Sequence, residues 1–128
     1  MKSRHGRFMG VLWLSILLLG GTPVRIWAHA FPDHSEPRVG SAVKLSPGVV
    51  RIWFDSELES VFSSIRVMNE NHQMVDKGDG RVDERNRTLL EVSLSVLPPG
   101  RYHVVWVAVS VDGHRTEGDF SFRVEGPP

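Results

Sequence analysis

The sequence predicts an all-β fold, a β-sandwich or barrel, for most of the chain, and three observations support this prediction. Several short segments alternate apolar and polar residues with the period of a half-buried strand. Clusters rich in Gly, Pro, Asn and Asp separate these segments at intervals of about 8–12 residues, as turns do. No long amphipathic helical pattern interrupts them. Short strands with frequent turns are typical of sandwiches and barrels.

The candidate strands share β-branched or aromatic residues and an alternating pattern, and in chain order they are residues 49–54, 64–68, 90–94, 102–109 and 120–124. The fourth is apolar on both faces towards its end, which predicts a central position in the sheet system. Residues 76–87 are the most polar segment, and we expect an exposed hairpin or loop there. Trp53 and Trp106 are expected to pack in the hydrophobic core.

The first 28 residues have the pattern of a signal peptide that directs export. Lys2, Arg4 and Arg7 form a positive region, residues 8–19 form an apolar region, and Pro23 follows two helix-breaking glycines. The apolar stretch is shorter than the ~20 residues that a transmembrane helix needs. We therefore expect a cleavable leader, with an uncleaved N-terminal anchor as the alternative.

The cleavage point has two candidates. The segment Ile26-Trp27-Ala28 places the cut after Ala28, so that His29 becomes the first residue of the mature protein. Ala28-His29-Ala30 also matches the A-x-A pattern, and a cut after Ala30 would remove His29. The first choice divides the chain into a signal peptide (1–28), a β-domain (29–125) and a short tail (126–128), but the sequence leaves both cuts open.

Charge and composition exclude one class of partner. The leader holds four of the 15 basic residues and no acidic one, so residues 29–128 carry 11 basic and 15 acidic residues, a formal charge of −4. This balance argues against nucleic acid, whose binding proteins present a basic face. The remaining 100 residues are enough for one small domain. Because the chain has no cysteine, that domain must be stabilised by its apolar core.

Two features at opposite ends of the chain predict a metal site. His29, at the start of the mature chain, would offer a free α-amine and an imidazole nitrogen, which can close a chelate ring on one ion. Asp112 and His114 flank Gly113, and either a strand or a turn lets both side chains converge. Three nitrogens and one oxygen without sulfur favour Cu(II), with tetrahedral Zn²⁺ as the alternative. Asp-Gly is also a common hairpin dipeptide, so the triplet alone favours an ordinary turn, and the prediction of a metal site depends on its combination with His29.

Three segments of the mature chain carry the motifs of one known family. They are H-A followed by S-E-P in residues 29–37, L-P-P-G-R-Y-H-V-V-W in residues 97–106, and S-V-D-G-H followed by G-D-F-S-F in residues 110–122. In these motifs, which come in the same order, the chain resembles the CopC family of periplasmic copper-resistance proteins. The resemblance covers essentially the whole mature chain.

The resemblance implies a fold, a site and a function. The fold is an immunoglobulin-like Greek-key β-sandwich or barrel, and the site is one Cu(II) ion per chain held by His29, Asp112 and His114. The implied function is that of a periplasmic copper carrier or buffer and not an enzyme. Family members are often encoded beside, or fused to, a CopD-type membrane protein. This chain ends at Pro128 without a membrane segment, so we expect a separate partner of that type and a monomeric protein.

The chain departs from the family pattern in two places. Some family members carry a methionine-rich loop that binds Cu(I), whereas the mature chain here has only Met68 and Met74, with His72 between them. Two thioethers are few ligands for Cu(I), so we expect no Cu(I) site there. Some relatives also have an acidic residue near the copper after the first aromatic strand, and Glu57 is the candidate here. His34 is expected to be exposed, although it is an alternative ligand.

The sequence leaves two other functions open. A copper-dependent redox enzyme can also use an N-terminal histidine, but it needs an open coordination position for O₂, and Asp112 would fill that position. A metal-free immunoglobulin-like interaction module is the second alternative, since fold does not fix function. Cleavage after Ala30 would favour this second alternative.

Overall fold

The computed structural model describes residues 29–127, which form two four-stranded sheets that enclose one apolar core. The strands are, in chain order, β1 (Pro32–Glu36), β2 (Ala42–Val43), β3 (Val49–Phe54), β4 (Ser64–Asn69), β5 (Arg81–Val82), β6 (Leu89–Ser93), β7 (Gly100–Val109) and β8 (Arg115–Val124). The first sheet has the order β1-β3-β6-β5 and the second the order β2-β8-β7-β4. Neighbours are antiparallel except for the parallel pair β2–β8. The predicted all-β, immunoglobulin-like sandwich is confirmed.

The predicted signal peptide, residues 1–28, lies outside the described residues, and so does Pro128 at the end of the predicted tail. Within residues 29–127, no helix has the length and hydrophobicity that are needed to cross a membrane.

Strand alternation fills the core between the sheets. Inward-facing side chains of both sheets are buried, among them Val50, Ile52, Phe54, Val104, Trp106, Phe120 and Phe122. Strand β7 lies between β8 and β4, so the predicted central position of residues 102–109 is confirmed. The long β7–β8 hairpin is paired along its full length, and this pairing positions the turn that follows β7.

The absence of a side chain at Gly118 leaves room for the indole ring of Trp106. The two residues are cross-strand partners in β7 and β8. A Cβ atom at Gly118 would lie only 2.6 Å from Cζ2 of the indole, so glycine is required if the ring is to lie flat against β8. Phe54 packs edge-on against the same indole, with ring centroids 5.2 Å apart.

The prediction that Trp53 packs in the core is wrong. Val50, Ile52 and Phe54 take the inward positions of β3, so the alternation of the strand turns Trp53 to the outer face of the first sheet. There it stacks on His34, with ring centroids 4.4 Å apart and planes 9° apart. The polar segment 76–87 is largely loop, as predicted, and contains the short edge strand β5.

Charged residues on the outer face of the first sheet form an alternating row across its four strands. Glu36, Arg51, Glu91 and Arg81 lie side by side in register on β1, β3, β6 and β5. The Glu91 carboxylate accepts hydrogen bonds from Arg51 Nε at 3.2 Å and from Arg81 at 2.8 Å, and Arg51 lies 3.8 Å from Glu36. Opposite charges are thus paired strand by strand, which stabilises the sheet.

Candidate metal centre

The turn between β7 and β8 contains Asp112 and His114, two of the predicted ligands, which together form the metal corner. The Ser110 N–H donates to the carbonyl of His114 at 2.9 Å, and the Gly113 N–H donates to the carbonyl of Ser110 at 2.8 Å. Gly113 has a φ of +91°, a conformation that glycine adopts without steric cost. This tight turn brings the side chains of Asp112 and His114 into contact.

The Asp112 carboxylate is held through one of its two oxygens. Oδ1 accepts hydrogen bonds from Ser110 Oγ, from His114 Nδ1 at 3.0 Å and from the His114 N–H at 3.2 Å. Led by the bond from Ser110, these interactions favour the ionised form and lower the pKa of Asp112 to about 2. Within residues 29–127, no hydrogen bond reaches Oδ2. The carboxylate is therefore ionised at neutral pH and has one oxygen left for a ligand.

His29 reaches the same corner from the other end of the chain. Its ring meets that of His114 edge-on, with centroids 4.7 Å apart and planes at 69°. Phe31 packs beside it at a centroid distance of 5.8 Å. The structure therefore brings the two predicted imidazole ligands together.

Hydrogen bonds to the residues after His29 fix this approach. Ala30 is fully buried, and its carbonyl accepts a hydrogen bond from Thr116 Oγ1 at 2.6 Å. The Phe31 N–H donates to Asp55 Oδ1 at 2.8 Å, and the Asp55 N–H donates back to the carbonyl of Phe31 at 3.0 Å. The start of the β-domain is thus attached to both sheets immediately after His29.

The predicted ligands meet in two pairs, His29 with His114 and His114 with Asp112. Within residues 29–127, no three His, Asp or Glu side chains are arranged so that they could already hold a metal ion. The backbone nitrogen of His29 belongs to a peptide bond in the uncleaved chain, so the α-amine donor would arise only on cleavage. The corner thus presents part of the predicted ligand set, and cleavage would supply a further donor.

A hydrogen bond of 3.0 Å from His114 Nδ1 to Asp112 Oδ1 fixes the two side chains relative to each other. Oδ2, which accepts no hydrogen bond within residues 29–127, is the carboxylate atom available to an ion.

Sequence reasoning gives no role to Ser110 or Thr116, although both organise the corner. Ser110 belongs to the S-V-D-G-H motif, and a hydroxyl two residues before an aspartate in a turn is a local signal that could have marked it. Thr116 carries no such signal, because its partner Ala30 lies at the other end of the chain.

Two other candidate residues, Glu57 and His34, make their contacts elsewhere. The carbonyl of Glu57 accepts a hydrogen bond from the Val111 N–H at 3.1 Å, whereas its carboxylate faces Arg87 at 3.6 Å. Glu57 therefore supports the turn through its backbone. His34 is exposed, as expected, and its Nδ1 is hydrogen-bonded to Asp33 at 2.8 Å.

Met68 lies in β4 near its end, and Met74 follows that strand. Met68 and Met74 are opposite each other in an isolated β-bridge, and Met74 is half exposed. His72 lies in the turn between them with a φ of 59°. The absence of a Cu(I) site at these residues stays a prediction.

Comparison with known proteins gives a consistent family. The model of the CopC domain matches residues 33–125. Protein YobA of Escherichia coli K12 is 31% identical over 113 residues, which cover 88% of this chain and 91% of YobA. The copper transport protein CutJ of Bacillus subtilis 168 is 34% identical over 114 residues, which cover 88% of this chain but only 21% of CutJ.

Solved structures agree with this result. CopC from Methylosinus trichosporium OB3b matches with a TM-score of 0.69 and 27% identity, covering 78% of this chain and 97% of that protein. PcoC, a methionine-rich copper resistance protein from Escherichia coli, matches with a TM-score of 0.65 and 28% identity, covering 76% of this chain and 99% of PcoC. With a domain model that spans most of the chain and a relative above 30% identity that is matched over nearly its full length, the chain belongs to the CopC family.

Proposed function

We propose that the mature protein is a periplasmic carrier or buffer of Cu(II), which holds one ion per chain as cargo at His29, Asp112 and His114. The observation that carries this proposal is the meeting of the His29 and His114 rings, 4.7 Å apart, beside the ionised Asp112. Relatives named for copper transport or copper resistance support the choice of metal.

The proposed ligand set has four donors. They are the α-amine and imidazole of His29, the imidazole of His114 and the carboxylate of Asp112. Nitrogen and oxygen donors in a tetragonal arrangement suit Cu(II), which also binds most tightly among the divalent first-row ions. Four donors occupy the equatorial plane and leave no ready position for O₂, which favours a carrier over an oxygen-activating enzyme.

The position of the corner suits uptake and release of the ion. The side chains of His114 and Asp112 are 25% and 35% exposed, so copper can enter and leave without unfolding of the domain. Their placement in a hydrogen-bonded turn keeps the donors organised in the absence of metal. Imidazole and amine donors must lose a proton to bind copper, so acidification would promote release.

The packing of Ala30 supports cleavage after Ala28. A cut after Ala30 would remove a fully buried residue together with its hydrogen bond to Thr116, whereas a cut after Ala28 leaves both in place. We therefore propose the boundaries 1–28 for the signal peptide, 29–125 for the copper-binding domain and 126–128 for the tail. We further propose a monomer that exchanges copper with a separate CopD-type membrane protein.

The decisive experiment measures the N-terminus and the Cu(II) affinity of the exported protein together. Intact mass should place His29 first. Titration against a competing chelator should give one tightly bound Cu(II), and His114→Ala should weaken it by more than about 100-fold, since even residues that only support a ligand change affinity 10–100-fold. His34→Ala is the matched control, because it removes an exposed imidazole near the same terminus.

Two results would contradict the proposal. One is an exported chain that begins at Phe31. The other is a His114→Ala protein that binds Cu(II) as tightly as the His34→Ala control. Nitrogen hyperfine structure in the electron paramagnetic resonance spectrum of the copper-loaded protein would report directly on the imidazole and amine donors.

A further inference from the structure

Two arginines face each other at the open end of the β7–β8 hairpin, the end away from its turn. Arg101 and Arg123 are exposed cross-strand partners, so their side chains leave the same face of the sheet with Cβ atoms about 4.5–5.5 Å apart. Within residues 29–127, neither guanidinium makes an ion pair or a hydrogen bond. Arg101 precedes Val109, which lies beside the metal corner, by eight positions along β7, or roughly 27 Å of strand.

This arrangement differs from that of the other arginines on the strands. Each of the others has an acidic partner: Arg51 with Glu91, Arg66 with Asp76, Arg81 with Glu91 and Arg115 with Glu117. Like charges directly opposite each other destabilise a sheet. Residues 29–128 carry a net charge of −4, yet within residues 29–127 no acidic side chain forms an ion pair with Arg101 or Arg123.

The arginine pair borders a surface cavity of about 340 Å³. The opposite wall is built of small residues, Gly40, Ser41 and Ala42. This wall is fixed to β8, because the Gly40 N–H donates to the carbonyl of Ser121 at 2.8 Å and the Arg123 N–H donates to the carbonyl of Ser41 at 2.9 Å. The guanidinium groups therefore stand beside an open space whose walls are held by backbone hydrogen bonds.

We propose that Arg101 and Arg123 bind an oxyanion, a phosphate or carboxylate group, in this cavity. A guanidinium presents a planar fork of N–H donors that matches the oxygens of such groups. One anion between the two forks would also offset the repulsion between them. Glu70 lines a neighbouring cavity together with Arg101, but it forms no ion pair with either arginine.

The test is a titration of the copper-free exported protein with inorganic phosphate. The NMR shifts of the amide and arginine side-chain N–H groups are measured at each phosphate concentration. We expect saturable shifts centred on Arg101 and Arg123. Arg101→Gln and Arg123→Gln should each weaken binding about tenfold or more, because each removes charged hydrogen bonds. Arg85→Gln is the matched control, since Arg85 is also exposed and also lacks an ion pair, and it should bind phosphate like the parent.

A second readout is thermal stability. Without phosphate, Arg101→Gln should unfold at a temperature equal to or above that of the parent, because it removes the like-charge repulsion. With phosphate, the unfolding temperature of the parent should rise and that of Arg101→Gln should not. Equal phosphate affinity in Arg101→Gln and Arg85→Gln would overturn the proposal, as would an equal rise in unfolding temperature in the two variants.

Vesicles distinguish the two sources of such an anion. Phosphatidylglycerol and phosphatidylcholine vesicles are compared by co-sedimentation with the parent, Arg101→Gln and Arg85→Gln. Binding to phosphatidylglycerol that is lost only in Arg101→Gln would support the proposal and identify a lipid headgroup as the ligand. Phosphate binding without vesicle binding would support the proposal and identify a soluble anion as the ligand. Copper has no part in these measurements, so their outcome is independent of the proposed metal site.

Discussion

Asp76 and Asp112 lie in two turns of the same domain, and their hydrogen bonds are distributed differently. The Asp76 side chain, between β4 and β5, is fully buried, and both its oxygens accept hydrogen bonds, from Arg66 Nε at 3.0–3.1 Å and from the N–H groups of Val67 and Gly78 at 2.8 Å. Asp112 is 35% exposed, and among the residues that the structure describes only its Oδ1 receives hydrogen bonds.

The difference separates a structural carboxylate from one that can bind a ligand. Burial opposes the ionisation of Asp76, but the hydrogen bonds from Arg66 and from two backbone N–H groups outweigh it and lower its pKa. At Asp112 the hydrogen bond from Ser110 is the largest cause of the lowered pKa. Both groups are thus perturbed in the same direction. A lowered pKa alone therefore does not mark a functional site. The ligand role proposed for Asp112 rests instead on its exposure and on its position beside His114.

Asp76→Asn should cause the largest loss of stability. The amide places an NH₂ group against donors from Arg66 and the backbone, and it removes a buried charge partner, so we expect a decrease of about 2–4 kcal/mol in the free energy of unfolding. Urea denaturation measures this change. Asp33→Ala, which removes an exposed carboxylate, should change stability by less than about 0.5 kcal/mol. Unchanged stability in Asp76→Asn would contradict the structural role of Asp76.

Asp112→Asn should mainly affect copper binding, in contrast to Asp76→Asn, which should mainly affect stability. We expect Cu(II) affinity to fall about 10–100-fold, because the ionised donor is lost while the shape of the turn is kept. Chelator competition measures the affinity, and Asp76→Asn is its control, which should bind Cu(II) like the parent at a temperature where it is folded. A loss of affinity in Asp76→Asn that equals the loss in Asp112→Asn would mean that the two carboxylates are not functionally distinct.

Much of the fold could be predicted from strand alternation, because side chains at every second position of a strand share one face. This rule identified the buried residues of β7 and β8. The rule also holds at Trp53, which faces outward because it alternates with the buried Ile52 and Phe54. The prediction of a core position depends instead on the preference of tryptophan for apolar surroundings, and that preference is overridden by the strand. The strand required the outer face, and the ring found a partner there in His34.

The candidate site could be predicted only in part. The Asp-Gly-His triplet is local in sequence, and the structure shows Asp112 and His114 in contact. The approach of His29 depends on the packing of Ala30 against Thr116, which no local pattern encodes. Likewise, nothing in the sequence around Asp76 distinguishes it from a solvated loop residue, because the role of Asp76 depends on Arg66 in the preceding strand.

The acid stability of the domain should depend on both carboxylates. Each has a pKa in the folded protein below its ordinary value of 3.8, about 2 for Asp112. The folded state therefore binds fewer protons, so these contributions are fully present above about pH 5 and are lost as the pH falls towards 2. We expect the free energy of unfolding to fall less steeply over this range in Asp76→Asn than in the parent. Denaturation curves at about pH 5, 4 and 3 test this, and parallel curves for the two proteins would contradict it.

The smallest expected effect is that of Ser110→Ala, which keeps both the carboxylate and the His114 donors. Ser110 is buried, and its hydroxyl is the main cause of the low pKa of Asp112, so the pKa should rise from about 2 towards 3.8. Because Asp112 stays ionised at neutral pH and keeps both hydrogen bonds from His114, Cu(II) affinity should fall by about tenfold, the low end of the range for a residue that supports a ligand. Carboxyl carbon NMR titration and chelator competition measure the two quantities. If affinity fell as far as in Asp112→Asn, the orientation of Asp112 by Ser110, and not its charge, would be what the metal corner requires.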